Sequence, residues 1–135
     1  MKDIDAAYIA GVIDGEGSIT LTRMHKDEYR RPCISIASTD EELLEFIQCI
    51  IGGTITNKKN YKPDIHKDSF TLTLKSKKDV FQTLKYITPY LRITKKKQRS
   101  MLILGRYEKV TPRNGKYSKE LLVEKKTFEG EFFNI

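Results

Sequence analysis

The stretch that most constrains this chain is Tyr8-Ile9-Ala10-Gly11-Val12-Ile13-Asp14-Gly15-Glu16-Gly17-Ser18. Ile9, Val12 and Ile13 recur at i, i+3 and i+4, which marks one face of an α-helix. Ala7, Gly11 and Gly15 repeat every fourth residue and stack on another face. A glycine inside a helix costs about 1 kcal/mol relative to alanine, so two on one stripe imply a close approach to the backbone there. The run closes in alternating acid and glycine. Asp14 and Glu16 stand at the C-terminal end, where the macrodipole disfavours a carboxylate by about 0.3–1 kcal/mol. Acids set against the dipole point to a bound cation.

Composition narrows the partner. The 135 residues carry 25 Lys+Arg against 18 Asp+Glu, a net charge of +7 and a pI near 9.4. That balance favours a polyanion, nucleic acid first. With 39% hydrophobic and 32% charged residues the chain reads as one soluble domain, 1–135, large enough to bury a core. No apolar run is long enough to span a bilayer, so no membrane association is expected. The start enters Lys2, Asp3 and Asp5 directly, without a secretory pattern. Cys33 and Cys49 have no CxxC spacing, and each lies in an apolar-patterned segment. Both read as buried free thiols of a protein kept in a reducing compartment, cytoplasm or organelle matrix, and not secreted.

In chain order, Asp3 or Asp5 caps a first helix running to about Asp14, which Gly15 and Gly17 stop. Residues 18–25 alternate apolar and polar as a strand, a charged turn follows at 26–30, and 31–38 is its antiparallel partner. Thr39 or Asp40 caps a second helix with a stripe of Leu43, Leu44, Ile47, Ile50 and Ile51, ended by Gly52-Gly53. Strands at 54–59 and 69–75 flank a polar turn at 60–68. Ser76 or Lys77 opens a third helix bearing Val80, Phe81, Leu84 and Ile87, interrupted at Pro89. A fourth runs from Lys95 to about Tyr107 with Met101, Leu102 and Leu104 buried. Ser118 caps a last helix around Leu121, Leu122 and Val123, and an aromatic tail ends the chain. The order predicts an α+β fold: a four-stranded antiparallel sheet with helices on one face.

The other face of that sheet would carry Thr20, Thr22, Met24, Arg31, Cys33, Ser35, Thr56, Lys58, Ser69, Thr71, Thr73 and Lys75. It is polar and basic, with no acid among those positions. Many antiparallel sheets simply show one face to water. A basic ribbon of hydroxyls and lysines also fits a DNA major groove, where such side chains reach phosphates and base edges.

The segment Ile9–Gly17, IAGVIDGEG, resembles the LAGLIDADG motif of the homing endonucleases. The helix–strand–strand–helix–strand–strand–helix order resembles that family's core over about 5–107, leaving a helical extension at 108–135. Gly52-Gly53 and Pro89-Tyr90-Leu91 with the lysines after it support the likeness.

The resemblance implies a homodimer paired along Ala7, Gly11, Asp14 and Gly15. It implies a divalent metal, Mg²⁺ with Mn²⁺ as a substitute, held by Glu16 and a carbonyl near Gly15, and no small-molecule cofactor. The family's usual acid at the Glu16 position is Asp. The family's active-site lysine maps best onto Lys95, with Lys97 next and reaching DNA. Ser38 stands where the family carries an active-site Gln or Asn, so the resemblance places it in the catalytic site, holding a water. The implied activity is double-strand DNA cleavage across the minor groove of a long pseudo-palindromic site, leaving 3′ overhangs.

Competing readings are a splicing maturase or DNA-binding module that kept the fold and lost cutting, and a basic structural protein. The retained Glu16 argues against loss. An EF-hand loop from Asp14 fails, since Gly would be needed at Ile19 and Glu at His25. His25 and His66 are isolated surface residues without zinc spacing. The cluster Arg92, Lys95, Lys96, Lys97 and Arg99 reads equally as a solvated helix start. Lys109, Arg113, Lys116 and Lys119 read as solubilising charges or contacts to flanking phosphates.

Overall fold

The computed structural model describes residues 1–58, 64 and 68–135, with the side chain of Lys58 outside the described set. The described elements are α1 (Asp3–Glu16), β1 (Gly17–Thr22), β2 (Arg31–Ser38), α2 (Glu41–Ile51), β3 (Thr54–Lys58), β4 (Ser69–Leu74), α3 (Lys77–Ile87), α4 (Thr94–Arg106) and α5 (Lys119–Phe133). Short 3₁₀ turns follow α3 at Thr88–Tyr90 and α4 at Glu108–Val110. The strands form one antiparallel sheet in the order β1-β2-β4-β3. Most of the expected turn at 60–68, with His66, lies outside the described residues.

Strand alternation divides the sheet into two unlike faces. In register, Ile19 pairs Ile34 and Ile34 pairs Leu74, while Ile36 pairs Leu72. All five side chains are buried. Ile9, Ala10 and Ile13 of α1, Leu44 and Ile47 of α2, Val80, Leu84 and Ile87 of α3, and Ile103 of α4 close over them. This is the α+β architecture expected of the sequence. Each fully buried Leu or Ile contributes about 1.5–3 kcal/mol, which makes this layer the main source of stability. Ser76 caps α3 by accepting from the Asp79 amide, and Ser118 caps α5 by accepting from the Leu121 amide.

Several local expectations are corrected. The N-cap of α1 is Lys2, and Asp3 and Asp5 lie inside its first turn, where the dipole favours them. α1 continues through Gly15 to Glu16. β1 ends at Thr22, so Met24 lies in the following loop. Cys33 is buried but Cys49 is exposed on α2.

In α4, Met101 is 56% exposed while Ser100 and Ile103 are buried. The core accepts Ser100 because its hydroxyl pairs with that of Thr88. In α5, Val123 is exposed and the buried residues are Lys125, Phe128 and Phe132. The aromatic tail is therefore the continuation of this helix at i+3 and i+4 spacing. A lysine at the first position of the buried stripe hides that period in the sequence.

Lys125 is only 1% exposed. Its Nζ donates to Thr111 Oγ1 at 2.8 Å and lies 4.5 Å from the Tyr107 ring centroid. Burial lowers its pKa from the ordinary 10.5, and the charge of Glu129 opposes that shift. With the folded pKa below the unfolded one, the unfolded chain keeps this proton where the folded chain has lost it. The Lys125 contribution to stability therefore rises with pH between the lowered value and 10.5. Lys125→Met is expected to be at least as stable as the parent at neutral pH. Denaturant titrations should show the gap between the two closing as pH approaches 10.5; a gap independent of pH would refute the charge-burial account.

Candidate functional site

The C-terminal end of α1 is locked to the start of α4. Lys96 Nζ donates to the carbonyls of Ile13 and Asp14 at 2.8 and 2.7 Å. In return the two Asp14 carboxylate oxygens accept from the backbone amides of Arg92 and Ile93 at 2.8 and 3.1 Å. Orphan carbonyls of one helix end and free amides before the next are satisfied together. The position of Asp14 against its own dipole is thus explained by α4 and not by a cation. Glu16, two residues on, is the last residue of α1 and is exposed.

Gly17 turns the chain from helix to strand at once. Its amide donates to Ile13 O, and its backbone is already extended. A Cβ there would lie 2.8 Å from Ile13 Cα, too close for any side chain. Gly11 and Gly15 are different. A Cβ on either meets nothing within 4 Å, so the chain's own packing gives no reason for glycine. Both are exposed, as is Ala7, on a stripe that also carries Ile4 at 76% and Tyr8 at 49% exposure. Tyr8 packs edge-on against Phe46 of α2 with ring centroids 5.7 Å apart.

The remaining sequence candidates separate. Lys95 is exposed on the first turn of α4. Lys97 is half-buried on the same turn. Lys96, which the sequence offered only as one of a basic cluster, is the lysine that reaches α1. Its signal was positional: three lysines in a row present three helix faces, and one of them must turn inward. Ser38 pairs with Phe70, on the same side of β2 as Ile36, and its hydroxyl accepts from the Asp40 amide at 3.0 Å. It thus serves the start of α2 and points away from the polar face.

That polar face is continuous. Ser18, Ser35, Thr73 and Thr54 stand in one cross-strand row over all four strands. Thr22 pairs Arg31, Thr20 pairs Cys33, and Thr71 links Ala37 to Thr56. Lys58 pairs Ser69 at the β3 end, and Lys75 follows β4 directly. Burial raises the pKa of Cys33, with the Lys75 charge opposing. Of the expected face, Met24 is exposed in the loop after β1. Among the described residues no three His, Cys, Asp or Glu side chains gather as a metal cage.

Comparison with known proteins resolves what this arrangement belongs to. The family described as LAGLIDADG endonuclease matches residues 9–104, which includes the whole of IAGVIDGEG. The chain belongs to the LAGLIDADG endonuclease family. An intron-encoded DNA endonuclease, ai2b, of Dictyostelium discoideum is 27% identical over 105 residues, covering 78% of this chain and 39% of that protein. The chain thus spans well under half the length of that curated relative.

Among solved structures, the fold is similar to the homing endonuclease I-CvuI in complex with its target, with a TM-score of 0.75 and 21% identity over 97% of this chain and 81% of that one. The archaeal intron-encoded homing endonuclease I-Vdi141I, complexed with DNA, matches at a TM-score of 0.67 and 18% identity, covering 99% and 85%. No helix among the described residues is long and apolar enough to cross a membrane.

Within the LAGLIDADG motif of this chain the two kinds of glycine should respond differently to a methyl group. Gly17→Ala is expected to lose about 1–3 kcal/mol of stability, because the clash is with backbone. Gly15→Ala, with open space around it, should change chemical-denaturation midpoints of the isolated protomer little or raise them.

Proposed function

We propose that this chain is a site-specific double-strand DNA endonuclease that acts as a homodimer on a long pseudo-palindromic site. One observation carries the reading: the exposed stripe Ala7, Gly11, Gly15 runs to Glu16, and its glycines have no purpose within one chain. Two copies of α1 packed along that stripe approach closely only where Cβ atoms are missing. Pairing brings two Glu16 carboxylates together beside the DNA backbone. Like charges so placed need cations between them.

The donors fit a hard divalent ion. Carboxylate oxygens of Glu16 with the carbonyl of Gly15 suit Mg²⁺, with Mn²⁺ as a substitute. When bound, the metal would polarise the scissile phosphate and activate water. The chain's own residues do the rest. Lys96 and Asp14 fix the end of α1 so that Glu16 is presented in one place. Lys95, exposed on the adjacent turn, faces phosphate. The outer sheet face enters the major groove, with Arg31, Lys58, Lys75 and the hydroxyls of Thr20, Thr22, Ser35, Thr56, Thr71 and Thr73 reading one half-site. Cutting then falls across the minor groove. The whole chain serves as one endonuclease domain in a reducing compartment of the cell, in keeping with its free Cys33 and Cys49.

Selection of cut sequences from a random duplex library at low salt tests this. The wild type should recover a two-fold-related site, and Glu16→Gln should cut it at least about 100-fold more slowly while still binding it. Binding by the wild type without any cutting would favour a DNA-binding or splicing module instead. Gly11→Leu should leave the circular dichroism of the fold intact but give a monomer in sedimentation and abolish double-strand cutting. A Gly11→Leu protein that still sediments as a dimer would sink the pairing along this stripe.

A further inference from the structure

β1 is an edge strand, held by β2 alone in the sheet. The loop joining them, residues 23–30, continues the two strands that carry Thr20, Thr22 and Arg31. An isolated pair of strands is marginal in water, and an uncovered edge is worse. α4, α5 and the turn between them grip this edge and loop. Arg99 of α4 donates to the Ile19 carbonyl at 3.2 Å, and its guanidinium lies 4.7 Å from the Phe132 ring centroid of α5. Tyr29 of the loop packs on Tyr117 with centroids 4.6 Å apart. Arg30 pairs with Glu129 of α5 at 3.5 Å and lies 5.0 Å from the Phe133 ring centroid.

Behind this grip, Lys125 fastens Thr111 and the Tyr107 ring, so the turn bearing Tyr117 is anchored to the core. A cavity of about 360 Å³ lies between residues 27–31 and the turn around Thr111–Tyr117. Beside this cavity the loop is held by single side-chain pairs, Tyr29 on Tyr117 and Arg30 on Glu129. Partly exposed ion pairs and cation–π contacts are individually modest, which makes such a grip sensitive to single changes.

We infer that α5 and the turn before it are a brace for the β1–β2 loop, fixing where Thr20, Thr22 and Arg31 meet the target. Tyr117, Glu129 and Arg99 are then positioning residues for target discrimination. The discrimination half of this statement rests on the DNA-reading role proposed above for the sheet.

Two variants test it: Tyr117→Ala with Glu129→Gln, and Glu129→Gln alone, which keeps volume and removes only the charge. Glu124→Gln, on an exposed position of α5, is the control. Hydrogen–deuterium exchange of the free protein is read over residues 19–31, and the affinity ratio for the selected target over a scrambled duplex is read at one salt concentration. In the double variant, exchange at 23–31 should speed at least tenfold with α1 and β4 unchanged, and the affinity ratio should fall at least tenfold. Glu129→Gln should show both effects in smaller measure, and the control neither. Unchanged exchange at 23–31 overturns the brace. Faster exchange with an unchanged affinity ratio overturns its role in discrimination. If the wild type prefers no duplex while exchange still responds, the DNA reading fails and the brace stands.

Discussion

The reciprocal lock between α1 and α4 governs the geometry of the whole molecule. A helix that ends on carboxylates is electrostatically awkward, because its unpaired carbonyls already carry partial negative charge. Lys96 removes that difficulty by placing an ammonium on two of those carbonyls. Asp14 returns the favour to the amides ahead of α4. The result joins segments about eighty residues apart in sequence. It leaves Glu16 as the one acid of the motif whose carboxylate faces outward. Gly17 then lets β1 depart without a clash, so the sheet begins immediately beside that acid.

The second organising constraint is the pleat. Every second strand residue is committed to the core, and the intervening positions are released from it. The inner rows are Ile and Leu, packed against four helices. The outer rows are mostly Ser and Thr, with Arg31, the buried Cys33 and Ala37 alternating along β2. Family membership, through residues 9–104, ties this two-faced sheet and the glycine-acid helix end into a single unit.

Much of the fold was legible because its signals are local. Period-two alternation gave the strands, Gly52-Gly53 ended α2 at two positive-φ positions, and Ser76 and Ser118 marked their helices. What escaped depends on contacts between distant segments. Nothing local says that Lys96 and not Lys95 turns inward, since that choice follows from the position of α1. The phase of α4 turns on the Ser100–Thr88 pair, and the length of α5 was masked by a buried lysine in its apolar stripe. Ser38 was placed correctly in β2, but the bond its hydroxyl accepts from the Asp40 amide at the start of α2 was not legible. Of the motif, the nonapeptide pattern was readable, and the resemblance set Asp14 to support the helix end and Glu16 to hold the metal; the amides of Arg92 and Ile93 that Asp14 binds were not legible.

The cross-strand row of Ser18, Ser35, Thr73 and Thr54 carries an evolutionary consequence. Hydroxyls both donate and accept, and they lie on the side of the pleat that the core does not use. Exchanging one for a longer polar side chain alters the chemistry this surface presents while leaving the packed layer untouched. Drift at these positions therefore remodels the outer surface by small steps while the packed layer keeps its stability.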